Sequence, residues 1–121
     1  MTDPLLAAAL VGVGGSVGAT ARHAVGIRVG GRRSMVAVNA LGSLALGAVL
    51  AAPVGSAATL LFGAGVCGAF TTFSSFAVET VSAASGGETD VAVGFAAANL
   101  LAALLAFLVG SALVDAVAWA G

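Results

Sequence analysis

A short run of the chain gathers groups able to handle ions: Gly68, Thr71, Thr72, Phe73, Ser74, Ser75 and Phe76. Glycine and the β-branched, hydroxyl and aromatic residues are mediocre helix formers, so a helix through this run is expected to break. Backbone groups left unpaired in hydrocarbon cost several kcal/mol each, so a broken span is tolerated only inside protein or beside a wet cavity. A break here points to an ion site. The alternative is a kinked helix whose Ser and Thr hydroxyls bond back to the preceding turn. Phe73 and Phe76, three residues apart, share one helical face. Their ring edges are electropositive and can favour an anion, although ordinary apolar packing would also use two Phe.

Other polar residues are few. Asn39 falls within an apolar run, and its NH2 offers two donors, either to an ion path or as a bond between helices. Glu79 is the one candidate acid within an apolar run; a structural bond to a backbone or hydroxyl group is expected for it. Cys67 is the only cysteine, too few for an internal disulfide or a metal cluster, and reads as a small packing residue. Thr71, Thr72, Ser74 and Ser75 have no partner base, and no Cys/His pair exists, so an enzyme is not expected.

These residues must be positioned by membrane helices. With 60% hydrophobic and 7% charged residues and a mean hydropathy of +1.16, 121 residues cannot supply the surface of a water-soluble domain. A bilayer core takes roughly 20 apolar residues per helix, which allows about four spans. They are expected at approximately 5–22, 35–52, 56–84 with a break at 68–75, and 91–114, forming one all-α transmembrane domain. The first apolar stretch, behind Asp3 and Pro4, is read as a retained span. Pro53 and Gly55 end the second, and Trp119 is a candidate interfacial anchor. All four basic residues, Arg22, Arg28, Arg32 and Arg33, lie between the first two spans. The positive-inside rule puts that loop in the cytoplasm and both termini outside. A net charge of −1 offers no basic surface for nucleic acid.

The run Gly65-Val66-Cys67-Gly68-Ala69-Phe70-Thr71-Thr72-Phe73-Ser74-Ser75-Phe76 resembles the signature of the Fluc/CrcB fluoride channel family, commonly G-x-x-G-G-x-T-T-F-S-T-F. Two further segments agree. Gly14-Gly15-Ser16-Val17-Gly18-Ala19-Thr20-Ala21-Arg22-His23 is similar to the family's G-G-x-x-G-A-x-x-R-Y/H, and Val38-Asn39-Ala40-Leu41-Gly42-Ser43 to its V-N-x-x-G-S/T. The resemblance covers essentially the whole chain. It implies an antiparallel dimer with two pores and a central structural Na+ held by main-chain carbonyls, here those of Gly68 and Thr71. It also implies a fluoride path along Phe73, Phe76, Asn39, Ser74 and Ser75, with Arg22 at a vestibule or helix end, where simple snorkelling to the interface is an equal reading. Aligning Gly110 with a family Gly puts Phe95 where many members have a pore-side Tyr, and Asn99 where they have Ser. Asn99 then supplies part of the lost donor capacity.

The resemblance thus implies a passive, fluoride-selective channel in the plasma membrane, exporting toxic F− from the cytoplasm. A small non-conducting accessory subunit and a small proton-coupled multidrug exporter remain alternatives; the latter needs a membrane-embedded acid, which the first span lacks. Insertion in both orientations favours a weak Arg/Lys bias, whereas all the Arg lie on one side. The expected partner is an oppositely oriented homologue in a heterodimer, with a homodimer as the alternative.

Overall fold

The computed structural model describes residues 2–121. Among the described residues, four helical spans are long and apolar enough to cross a membrane: Pro4–Val29, Gly31–Ala51, Ser56–Ser85 and Thr89–Ala120. The first, second and last are the continuous helices α1 (Pro4–Val29), α2 (Gly31–Ala51) and α6 (Thr89–Ala120). The third comprises α3 (Ser56–Ala58), a π-helical stretch over Thr59–Cys67, α4 (Gly68–Phe70) and α5 (Phe73–Ser85). The chain is all-α and multi-pass.

The sequence accounts for most helix ends. Asp3 caps α1 by accepting from the Leu5 and Leu6 N–H groups at 2.9 and 3.2 Å, with Pro4 in the first turn, where its missing N–H costs nothing. α1 does not stop at Arg22, as expected from its charge, but continues to Val29. Arg is a good helix former, and the chain turns only where Gly30 and Gly31 adopt φ of 70° and 59°, a region that glycine enters freely. The Arg cluster therefore sits on two helix ends rather than in a loop. α6 likewise runs through Asp115 to Ala120. At 1.5 Å per residue its 32 residues reach about 48 Å, longer than a hydrocarbon core of about 30 Å, so it extends beyond that core.

Small residues set the packing. α2 packs most extensively against α6, and α1 against the π-helical stretch. A Cβ at Gly47 would collide with the Phe107 carbonyl, and one at Gly110 with the Leu44 carbonyl, so two backbones meet reciprocally. On the other side, a Cβ at Gly14 would strike the Leu61 carbonyl and one at Gly18 the Val66 carbonyl. The glycines are four residues apart, as on an α-helix, whereas the carbonyls they face are five apart, which matches the wider i to i+5 repeat of the π-helix.

The seam between α2 and α6 gives a direct test. Gly110→Val forces backbone apart and is expected to lower stability by about 1–3 kcal/mol, read as an earlier unfolding transition in detergent. Gly94→Ala, with nothing within 4 Å of the added Cβ, should leave the transition unmoved.

Candidate functional site

The break is narrower than 68–75. Gly68–Phe70 is helical, α5 starts at Phe73, and only Thr71 and Thr72 are extended, with ψ of 161° and 110°. Such a break strips the preceding carbonyls and the following amides of their helical partners. In a continuous helix the Thr72 N–H would reach the Gly68 carbonyl; here it donates to Asn39 Oδ1 at 2.7 Å. Asn39 Nδ2 donates back to the Thr72 carbonyl at 3.1 Å. One side-chain amide on α2 thus stands in for both lost backbone partners of Thr72.

Neighbouring groups complete the break. The Thr71 carbonyl accepts from Arg22 Nη1 at 3.1 Å, and the Thr71 hydroxyl donates to the Cys67 carbonyl at 3.0 Å. Thr72 Oγ1 accepts the Ser75 N–H at 3.2 Å, a side-chain cap on α5. Asn39 also donates from Nδ2 to Asn99 Oδ1 on α6, at 3.0 Å. Asn39, Thr72 and Asn99 are each at most 8% exposed. Of the two roles open to Asn39 from the sequence, an ion path or a bond between helices, both of its donors serve the second within the chain. Arg22 is half-buried and reaches the break itself rather than the interface.

Beside this network lies a concavity of about 700 Å³, open along one flank, whose wall includes Asn39, Asn99, Phe73, Phe76, Gly68 and Thr71. Phe73 stands 78% exposed. Its ring centroid is 5.9 Å from that of Phe76, which is in turn 5.5 Å from that of the buried Phe95. Phe95 thus backs Phe76. Cys67 is buried in the same wall. Ser74 and Ser75 are not part of it; with Met35, Val78 and Glu79 they line a separate recess of about 330 Å³. Glu79 Oε1 pairs with Arg32 Nε at 2.7 Å, not with the backbone or hydroxyl group expected. The pair joins α2 to α5 where both side chains are partly exposed, so its worth is at most about 1 kcal/mol.

Sequence reasoning missed the role of Thr72, whose N–H and C=O are both held by Asn39, and the ion pair of Arg32. The adjacent pair Thr71-Thr72 was the available signal for the first; the second left none, since residues 47 positions apart carry no spacing cue.

Residues 9–111 match the family described as CrcB-like protein, Camphor Resistance (CrcB). The chain belongs to the CrcB family. This CrcB-family chain is 51% identical over 110 residues to a protein of Natronomonas pharaonis named fluoride-specific ion channel FluC 2, covering 90% of this chain and 95% of that one. It is 44% identical over 104 residues to a Haloarcula marismortui protein, also named fluoride-specific ion channel FluC 2, covering 84% and 87% of the two chains. Over 102 residues it is 40% identical to fluoride-specific ion channel FluC 1 of Halobacterium salinarum, covering 82% and 86%.

The bonds at the break predict unequal costs. Asn39→Ala orphans the N–H and C=O of Thr72, and is expected to destabilise the CrcB-family fold by about 2–4 kcal/mol. Asn99→Ala removes one bond at the edge of a cavity and should cost about 1 kcal/mol. Denaturant unfolding in detergent, compared between the two variants, checks the order.

Proposed function

We propose that this chain is a subunit of a passive fluoride-selective channel through which toxic F− leaves the cytoplasm. The names of its relatives support the substrate. The observation that carries the reading is the cavity wall: among small and aliphatic side chains it carries the amides of Asn39 and Asn99 and the rings of Phe73 and Phe76, with no basic side chain. Fluoride is small and strongly hydrated, so a narrow path must replace its water with donors, and a deep Lys or Arg would hold it where conduction needs release. Amide N–H groups and the ring edges of Phe73 and Phe76 meet that need. Ser74 and Ser75, in their separate recess, extend the polar track where a second chain brings the two recesses together. Arg22 acts from behind the break.

A second chain is part of the proposal. Polar groups near the middle of a span cannot face lipid tails, yet the concavity is open along one flank and Phe73 projects from it. An antiparallel dimer, a homodimer or a heterodimer with an oppositely oriented homologue, would cover the flank and form two pores. The clustering of Arg22, Arg28, Arg32 and Arg33 around the α1–α2 turn favours one fixed orientation, hence the heterodimer. The numbered names FluC 1 and FluC 2 among the relatives accord with paired chains.

A structural Na+ fits the break. Carbonyl oxygens suit hard cations, the Gly68 carbonyl has lost the Thr72 N–H to Asn39, and the Thr71 carbonyl retains a lone pair beside the one that Arg22 occupies. Gly68 and Thr71 would hold the ion through these oxygens, with two more from the second chain, and the ion would supply fixed positive charge at the dimer seam.

Fluoride efflux from liposomes holding the purified protein, with its homologue where a heterodimer is needed, tests the reading. Fluoride should leave and chloride should not; absence of fluoride flux would overturn it. Phe73→Ile, which keeps bulk but removes the ring edge, is expected to lower flux by about tenfold or more, the loss of roughly 1.4 kcal/mol of interaction. For orientation, a C-terminal reporter on the chain expressed alone should signal from outside only, whereas substantial signal from both sides would refute the fixed orientation.

A further inference from the structure

Glu79 stands where an anion path should not tolerate it. Ser75 and Glu79 are four residues apart on α5, which puts their Cβ atoms about 5–6 Å apart on one helical face. Both line the recess of about 330 Å³, together with Ser74, Met35 and Val78. The serine hydroxyls are the donors of that recess. Elsewhere in the helices Ser16, Thr20, Thr59 and Thr80 give their hydroxyls to the carbonyl four residues earlier. Among the described residues neither Ser74 nor Ser75 gives its hydroxyl to a protein acceptor; Ser75 bonds only through its N–H. The break accounts for Ser75, because Thr71, four residues before it, is extended and its carbonyl is held by Arg22. An unopposed carboxylate beside these donors would compete for them and repel an incoming anion.

The carboxylate is opposed. Its Oε1 meets Arg32 Nε at 2.7 Å, the one ion pair among the described residues. Helix stability does not explain the place of Arg32. It lies in the first turn of α2, at the positive end of that helix's dipole, and no acidic residue shares the turn. We infer that Arg32 is a positioning residue for the anion path: by pairing with Glu79 it neutralises the carboxylate that borders the serine recess and holds it toward α2. The Ser74 and Ser75 hydroxyls are then left open to a passing anion. The positive charge of Arg32 is spent on Glu79, so the recess gains no net charge that would trap the ion. This inference rests on the fluoride reading and deepens it, since it assigns the electrostatic balance of the path to a residue that does not touch the ion.

Fluoride efflux from liposomes, at constant Na+ and with chloride as control, separates this role from a simple tie between helices. Arg32→Gln, which leaves the carboxylate unopposed, is expected to lower efflux about tenfold, the size expected for like charges several Å apart near a protein surface. Glu79→Gln should do the opposite and raise efflux at low fluoride. The double variant should recover most of the Arg32→Gln loss, and Arg32→Lys, which keeps the charge, should show little of it. Raising the ionic strength to about 1 M with an impermeant gluconate salt should shrink the Arg32→Gln deficit, because the screening length falls to about 3 Å. The pair adds little to stability, so these variants are expected to fold. Should Arg32→Gln fail to do so, the double variant, which leaves neither charge without its partner, decides: flux near wild type upholds the inference and loss of flux overturns it. Wild-type efflux in Arg32→Gln, or similar losses in both single variants and the double, would overturn the inference while leaving the channel reading intact. A wild-type protein without fluoride flux would overturn both.

Discussion

The fold depends on how a broken backbone is satisfied where water is scarce. Near the middle of the Ser56–Ser85 span, the chain abandons helical geometry at Thr71 and Thr72, which would be prohibitive in lipid without replacement partners. Asn39 supplies two of them at once, accepting the Thr72 N–H and donating to its carbonyl. Arg22 supplies a third from the opposite side. α1, α2 and the third span are thus tied together at the point where the third span is weakest.

Close packing lets these short bonds form. Asn39 sits on the helix whose Gly47 meets α6, and Asn99 on the helix whose Gly110 meets α2, so the seam that brings these backbones together also sets the 3.0 Å bond between the amides. On the far side, the π-helical stretch adapts its carbonyl spacing to Gly14 and Gly18 on α1, the helix that delivers Arg22. These glycines are therefore what holds the polar groups of the break in register.

Much of this was legible in the residues. Apolar run lengths gave four spans, and the Thr, Ser and Phe cluster after Gly68 gave the break. The family resemblance brought Asn39, Phe73, Phe76, Ser74, Ser75 and Asn99 forward as one set; the structure places Asn39, Phe73, Phe76 and Asn99 in one cavity wall and the two serines outside it. Other features left no local trace. The π-helix lies in a run of Gly and apolar residues that reads equally as α-helix. The clamp on Thr72 spans 33 positions, and the sign of a side-chain amide is set only by what it meets. The stretch from Arg22 to Arg33 read as a loop with its helix ends because charge suggests an end, whereas a helix tolerates Arg and stops only where backbone geometry changes at Gly30. Ser74 and Ser75 adjoin Phe73 and Phe76 in sequence, but a helix turns neighbours to different sides, into another recess.

The central claim is that Asn39, rather than the preceding helical turn, takes the Thr72 amide. Scalar coupling across hydrogen bonds, measured by NMR on the isotope-labelled protein in nanodiscs, reads this contact directly. The account predicts coupling between the Thr72 amide nitrogen and the side-chain carbonyl carbon of Asn39, with slow exchange of that amide proton. Coupling to the main-chain carbonyl of Gly68, the mark of an unbroken helix, would contradict it.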